Sequence, residues 1–115
     1  MRLLHALAAL VLLVAAGCRS AYVEAIVSNR TTQDIKLIEV AYPSASFGTQ
    51  SISPGADFHY RFKVLGEGKL KIAYTDSSNQ EKKAEGFLLQ EGAEGPVTIT
   101  VAGDGVHWQN DTTRR

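Results

Sequence analysis

The 115-residue chain holds little of what many sites and scaffolds are built from: one cysteine, one methionine, one tryptophan and three prolines. A single cysteine excludes an intrachain disulfide framework and any zinc or iron–sulfur centre made from several thiolates. An excess of either charge is also missing, because 12 lysines and arginines face 12 aspartates and glutamates. A nucleic-acid binder needs a basic face that displaces counterions from phosphates, so nucleic acid is not an expected partner. The length admits one domain and leaves no room for a second core. No apolar run reaches the roughly 20 residues that a membrane-spanning helix requires.

What is there begins with Met1–Gly17, where 14 of 17 residues are apolar and the stretch from Ala6 to Ala16 is unbroken. Arg2 and the α-amine precede it, small residues follow it, and it has no polar face. That is the layout of a signal peptide, expected as a helix, and not of a core helix. Val14-Ala15-Ala16-Gly17-Cys18 resembles the lipobox of bacterial lipoproteins, with Ala15 where the commonest pattern has leucine, and the chain's one cysteine stands at its end. The resemblance covers the first 18 residues. It implies cleavage between Gly17 and Cys18, diacylglycerol on the Cys18 sulfur, and an acyl chain such as palmitate on the new amine. A thiolate is the strong nucleophile such a thioether needs. One buried chain anchors marginally, and two or more anchor stably. Arg19 follows the cysteine where an aspartate, in the resembled class, signals inner-membrane retention, so the outer membrane facing the periplasm is favoured. Cleavage removes Arg2 and leaves 11 basic against 12 acidic residues, a net charge of −1.

The rest of the chain alternates with period two, the signature of strands with one buried face. Ala56, Phe58, Tyr60, Phe62 and Val64 interleave with Asp57, His59, Arg61 and Lys63. Leu70, Ile72 and Tyr74, then Val97, Ile99 and Val101, then Val106 and Trp108 repeat the pattern. Tyr22–Ser28, Ala45–Ile52 and Gln80–Leu89 read as strands with less regular phase. In Ile35–Tyr42 the phase slips between Leu37 and Ile38, which predicts a bulge or burial on both faces. Ser53-Pro54-Gly55-Ala56 suits a type II turn, Asp76–Asn79 and Gly103-Asp104-Gly105 suit hairpin loops, and Asn29–Asp34 and Gly92–Pro96 read as loops by composition.

Seven to eight short strands with a turn every 8–12 residues predict an all-β fold, an antiparallel β-sandwich, with a small barrel as the alternative. Asn29-Arg30-Thr31, the run from Ile35, and Ile52-Ser53-Pro54-Gly55 resemble small immunoglobulin-like accessory domains of bacterial envelopes over residues 22–76. The chain departs from immunoglobulin domains in lacking paired cysteines and in carrying Trp108 in its last strand. The expected organisation is a signal peptide (1–17), a lipidated N-terminus and tether (18–21), a sandwich (22–109), and a polar tail (110–115) whose last four residues read as disordered.

Residues that carry chemistry are scattered. His5 leaves with the signal peptide, and His59 and His107 both fall on polar faces; these two are the candidate metal ligands if their strands meet. Blue copper is excluded because Cys18 is committed to lipid. Ser44, Ser46, Ser51 and Ser53 stand outside any G-x-S-x-G elbow. Glu91, Glu94 and Asp104 are not singled out as a glycosidase pair. Asp76–Asn79 lacks the glycine and distal glutamate of a calcium loop. Asn29-Arg30-Thr31 and Asn110-Asp111-Thr112 match glycosylation sequons but read as turns. If strands 56–64 and 69–76 form a hairpin, Arg61, Lys63, Lys69 and Lys71 share its wet face, a basic stripe able to meet anionic head groups or an acidic partner.

The expectation is a lipid-anchored cell-envelope protein, not an enzyme, whose sandwich is an accessory or protein-interaction module, with no cofactor beyond its lipid. The alternative is a periplasmic domain that binds a small ligand or metal through His59, His107, Tyr60 and Trp108.

Overall fold

The structure, a computed structural model, describes residues 21–114. The expected signal-peptide helix, Gly17 and Cys18 lie outside the described residues. The alternating segments become β1 (Val23–Asn29), β2 (Ile35–Tyr42), β3 (Ala45–Ile52), β4 (Asp57–Phe62), β5 (Gly68–Thr75), β6 (Glu81–Leu89), β7 (Ala93–Ala102), β8 (Gly105–Asn110) and the two-residue β9 (Thr113–Arg114). They form two sheets, one ordered β4-β1-β7-β8 with β9 beside the start of β7, the other ordered β3-β2-β5-β6. The fold is therefore an all-β sandwich of eight principal strands, within the range that the alternation predicts.

Its core is the apolar phase of each alternation. Val23, Ala25 and Val27 of β1, Val97, Ile99 and Val101 of β7, and Val40, Leu70 and Ile72 of the facing sheet are inaccessible to solvent or nearly so. Each such aliphatic side chain contributes about 1.5–3 kcal/mol relative to exposure, and β-branched residues suit the pleated surface. Aromatic side chains close the two long sides. Along one, Phe47 of β3 stacks on Tyr60 of β4 with ring centroids 4.4 Å apart. Along the other, Phe87 of β6 meets Trp108 of β8 edge-on at 6.1 Å. Gly86 makes the second contact feasible, because a Cβ there would lie 2.4 Å from the indole.

The turns follow local chemistry. Gly55 has φ +79° and the Ala56 amide donates to the Ser53 carbonyl at 3.0 Å, as a type II turn requires. Asp76 accepts backbone bonds from Ser78 and Gln80 at 2.9 and 3.0 Å, and Asn79 takes φ +63°. The phase slip in β2 is a bulge: Leu37 adopts φ +50° and points outward, 61% exposed, while Ile35 and Ile38 on either side are buried. The β2–β5 register shifts between Lys36 and Glu39 at this point.

Four expectations are corrected. Pairing is antiparallel throughout except for β1 and β7, which run parallel from Val23↔Gly95 to Asn29↔Val101. The chain crosses to β7 from the end of β6 and so enters the sheet at the end where β1 begins. Gly92–Pro96 is not a loop, because β7 begins at Ala93. Gly95, at φ +118°, bends the strand where its partner changes from β9 to β8, and the Pro96 carbonyl accepts the Asp111 amide at 3.1 Å. The described part of the polar tail is not disordered, because Arg114 pairs opposite Ala93 and Thr113 opposite Glu94. Segments 56–64 and 69–76 do not form a hairpin: β4 is an edge of one sheet, and β5 lies between β2 and β6 in the other.

Strand directions give the sandwich two distinct ends. The near end gathers the start of β1, the β2–β3, β4–β5 and β6–β7 connections, and β9; the far end gathers the β1–β2, β3–β4, β5–β6 and β7–β8 connections.

Candidate functional site

The failure of the hairpin divides the basic stripe. Arg61 pairs across to Glu24 on the outer face of the β4-β1-β7-β8 sheet, with its guanidinium carbon 4.7 Å from the Tyr22 ring centroid. Lys63 follows β4 in the connection to the second sheet. Lys69 and Lys71 alternate with buried Leu70 and Ile72, so they stand on the outer face of the other sheet, the opposite side of the molecule. Lys69 is 3.1 Å from Glu85. Lys71 borders a shallow concavity of about 470 Å3 with a floor of Ala41, Ala73 and Ala84 and a rim of Glu39, Lys83 and Glu85. The four cations are therefore not one surface.

The two candidate metal ligands are likewise kept apart. His59 is on β4 and His107 on β8, the opposite edges of one sheet. Three interstrand spacings separate them, about 14 Å, whereas ligands of one zinc ion lie within roughly 4 Å of each other. Each imidazole faces a carboxylate instead, His59 with Glu24 at 2.9 Å and His107 with Asp104 at 2.7 Å. The bond from His107 holds the Asp104 carboxyl below the ordinary carboxylate range. Among the described residues no group of three or more histidine, cysteine, aspartate or glutamate side chains could hold a metal ion. Asp57, two residues from His59, turns to other partners, accepting a bond from Ser28 at 2.6 Å and lying 3.4 Å from Arg30. Tyr60 and Trp108, the aromatic partners of the ligand alternative, are occupied in closing the two sides of the sandwich.

A polar recess opens at the far end. Three of its connections surround a polar cleft of about 400 Å3 lined by Thr31, Asp34, Tyr74, Asp76, Lys82 and Asp104. Asn29 secures the β1–β2 loop that forms one wall. It is wholly buried, its amide nitrogen donates to the Gln33 and Ile52 carbonyls at 2.8 and 2.9 Å, and its oxygen accepts from the Thr31 amide and hydroxyl at 2.9 and 2.6 Å. Asn29, read from the sequence as a turn residue, is therefore the last residue of β1 and the clasp of the loop that follows. Tyr74 forms the floor: only 7% exposed, its ring continues the core. Burial, followed by the nearby Asp76 charge, raises its phenol above the usual tyrosine range. Local alternation identifies Tyr74 as a core residue, but only the convergence of three loops makes it the base of a recess.

The near end is different. Tyr42 fastens its loops from within, donating toward the Gly66 carbonyl at 2.7 Å and the Leu89 carbonyl at 3.2 Å. Outside them, Tyr22, Leu65 and Leu88 are 40%, 52% and 45% exposed. No periodic signal marks these three in the sequence, because one precedes a strand, one lies in a loop and one follows a bulge in β6.

The chain is similar in fold to a solved structure described as the NMR structure of the protein from Eubacterium rectale, with a TM-score of 0.53 at 14% identity, covering 84% of this chain and 93% of that one. At that identity the likeness concerns the fold alone. No family model matches the chain. A comparison with curated proteins returns no match.

Proposed function

We propose that the chain is a lipid-anchored protein of the bacterial cell envelope, whose sandwich serves as a non-catalytic accessory or protein-interaction module. The observation that carries this is the position of Cys18: the chain's one cysteine directly follows Val14-Ala15-Ala16-Gly17 and stands five residues before the first residue of β1. Acylation there would tether the domain by its near end, at the outer membrane facing the periplasm. The polar far-end cleft, one strand length away, would then be the part presented to a partner. The engagement of both described imidazoles with carboxylates is consistent with a surface role for them.

The test is metabolic labelling with an alkyne fatty acid in a two-membrane bacterium, followed by fractionation. The full chain is expected to take up label and sediment with membranes, and Cys18→Ala to lose the label and release the domain. An unmodified Cys18 thiol on a freely soluble product, read by intact-mass spectrometry, overturns the anchor. Cross-linking in intact cells tests the interaction half. A reproducible neighbour captured from far-end positions supports it, and capture indistinguishable from that of a near-end position counts against it.

A further inference from the structure

Five large apolar side chains are prominently exposed among the described residues, and three of them, Tyr22, Leu65 and Leu88, are at the near end. They come from three separate segments. Tyr22 immediately precedes β1, Leu65 lies in the β4–β5 connection, and Leu88 is the penultimate residue of β6, opposite Lys69. Tyr22 and Arg61 project from one outer face and Leu88 from the other, with Leu65 between them, so the three surround the rim instead of filling a groove.

The tether decides what can cover this rim. Between Cys18 and Val23 the chain can extend at most about 18 Å. The far end lies a further 23 Å or so away, the length of seven-residue β1. A domain held so closely cannot turn its far end to the lipid without leaving its own anchor. We propose that the near end, through Tyr22, Leu65 and Leu88, lies directly against the lipid surface that receives the acyl chains, so that the sandwich stands end-on. This deepens the proposed anchoring and rests on acylation of Cys18.

The contact is apolar in the main. Arg61, Lys63, Lys69 and Arg114 occupy this end together with Glu24, Glu67, Glu91 and Glu94, so charge is balanced there. Leucine side chains enter the acyl boundary, while an amphipathic tyrosine ring settles at head-group level.

The experiment uses the mature lipidated chain in phosphatidylcholine vesicles, spin-labelled at Leu65→Cys, Leu88→Cys or, at the far end, Ser77→Cys. The labels at 65 and 88 are expected to be relaxed by oxygen dissolved in the lipid and shielded several-fold from an aqueous nickel chelate relative to the label at 77. That shielding should persist in high salt, because the vesicles are uncharged. Equal access of the chelate to all three labels, in protein that floats with the vesicles, overturns the end-on contact while leaving the anchor intact. Failure to float removes the anchor and this inference with it.

Discussion

Asn29 shows how much one side chain can hold. Its amide satisfies two carbonyls and its oxygen two donors, while Asn29 itself is out of reach of water. Asn29→Ala leaves the Gln33 and Ile52 carbonyls without that donor, an expected loss of about 2–4 kcal/mol in urea unfolding. Asp104 illustrates the opposite regime, an exposed contact legible only by titration. Because His107 lowers its folded value below the unfolded one, the contribution is present above the ordinary carboxylate range and fades as pH falls through the folded value. NMR titration of Asp104 in His107→Ala should show its midpoint returning upward. An unchanged midpoint would mean that the imidazole is not the cause.

At the scale of elements, the edges of the two sheets decide how the sandwich closes. Gly86 in β6 and Trp108 in β8 form one closure, and the missing side chain on β6 is what admits the indole. Gly86→Ala is expected to expel Trp108, costing about 1–3 kcal/mol. Trp108 is the only tryptophan in the chain, so its fluorescence should shift to the red together with the lower unfolding midpoint. Unaltered emission would show that the backbone yields instead. Gly48 has a similar role across from the β2 bulge, where a Cβ would lie 2.1 Å from the Ile38 carbonyl oxygen. The glycine and the bulge at Leu37 thus work as one device. It keeps Ile35 and Ile38 in the core although three positions separate them.

For the whole molecule, the arrangement of strands separates groups that the sequence presents as similar. His59 and His107 occupy equivalent polar phases, yet they stand on opposite edges of a sheet. Added zinc is therefore expected to leave the melting temperature of the mature chain unchanged, and His59→Ala and His107→Ala should not alter that result. A zinc-dependent rise abolished by both substitutions would contradict the separation. The same arrangement gives the molecule a direction. The chain enters β1 at the end ringed by Tyr22, Leu65 and Leu88, and the polar cleft over Tyr74 opens at the other.

The sequence by itself determined the apolar segment ending at Cys18, the alternating strands, the type II turn at Pro54-Gly55 and the slip at Leu37. All of these depend on chemistry within a few residues: side-chain period, φ preference and the run length of apolar groups. Alternation in β7 marks Val97, Ile99 and Val101 as core in any pairing scheme. It does not say that β7 runs parallel to β1, or that strand continues through Gly95 and Pro96, because those depend on the end from which the returning chain enters the sheet. Only the tertiary structure decided that Arg61 and Lys71 face opposite ways, that the two histidines stay apart, and that Asn29 is a buried clasp. Each of those outcomes joins residues far apart in the chain, and it is set by the closure of two sheets around one core.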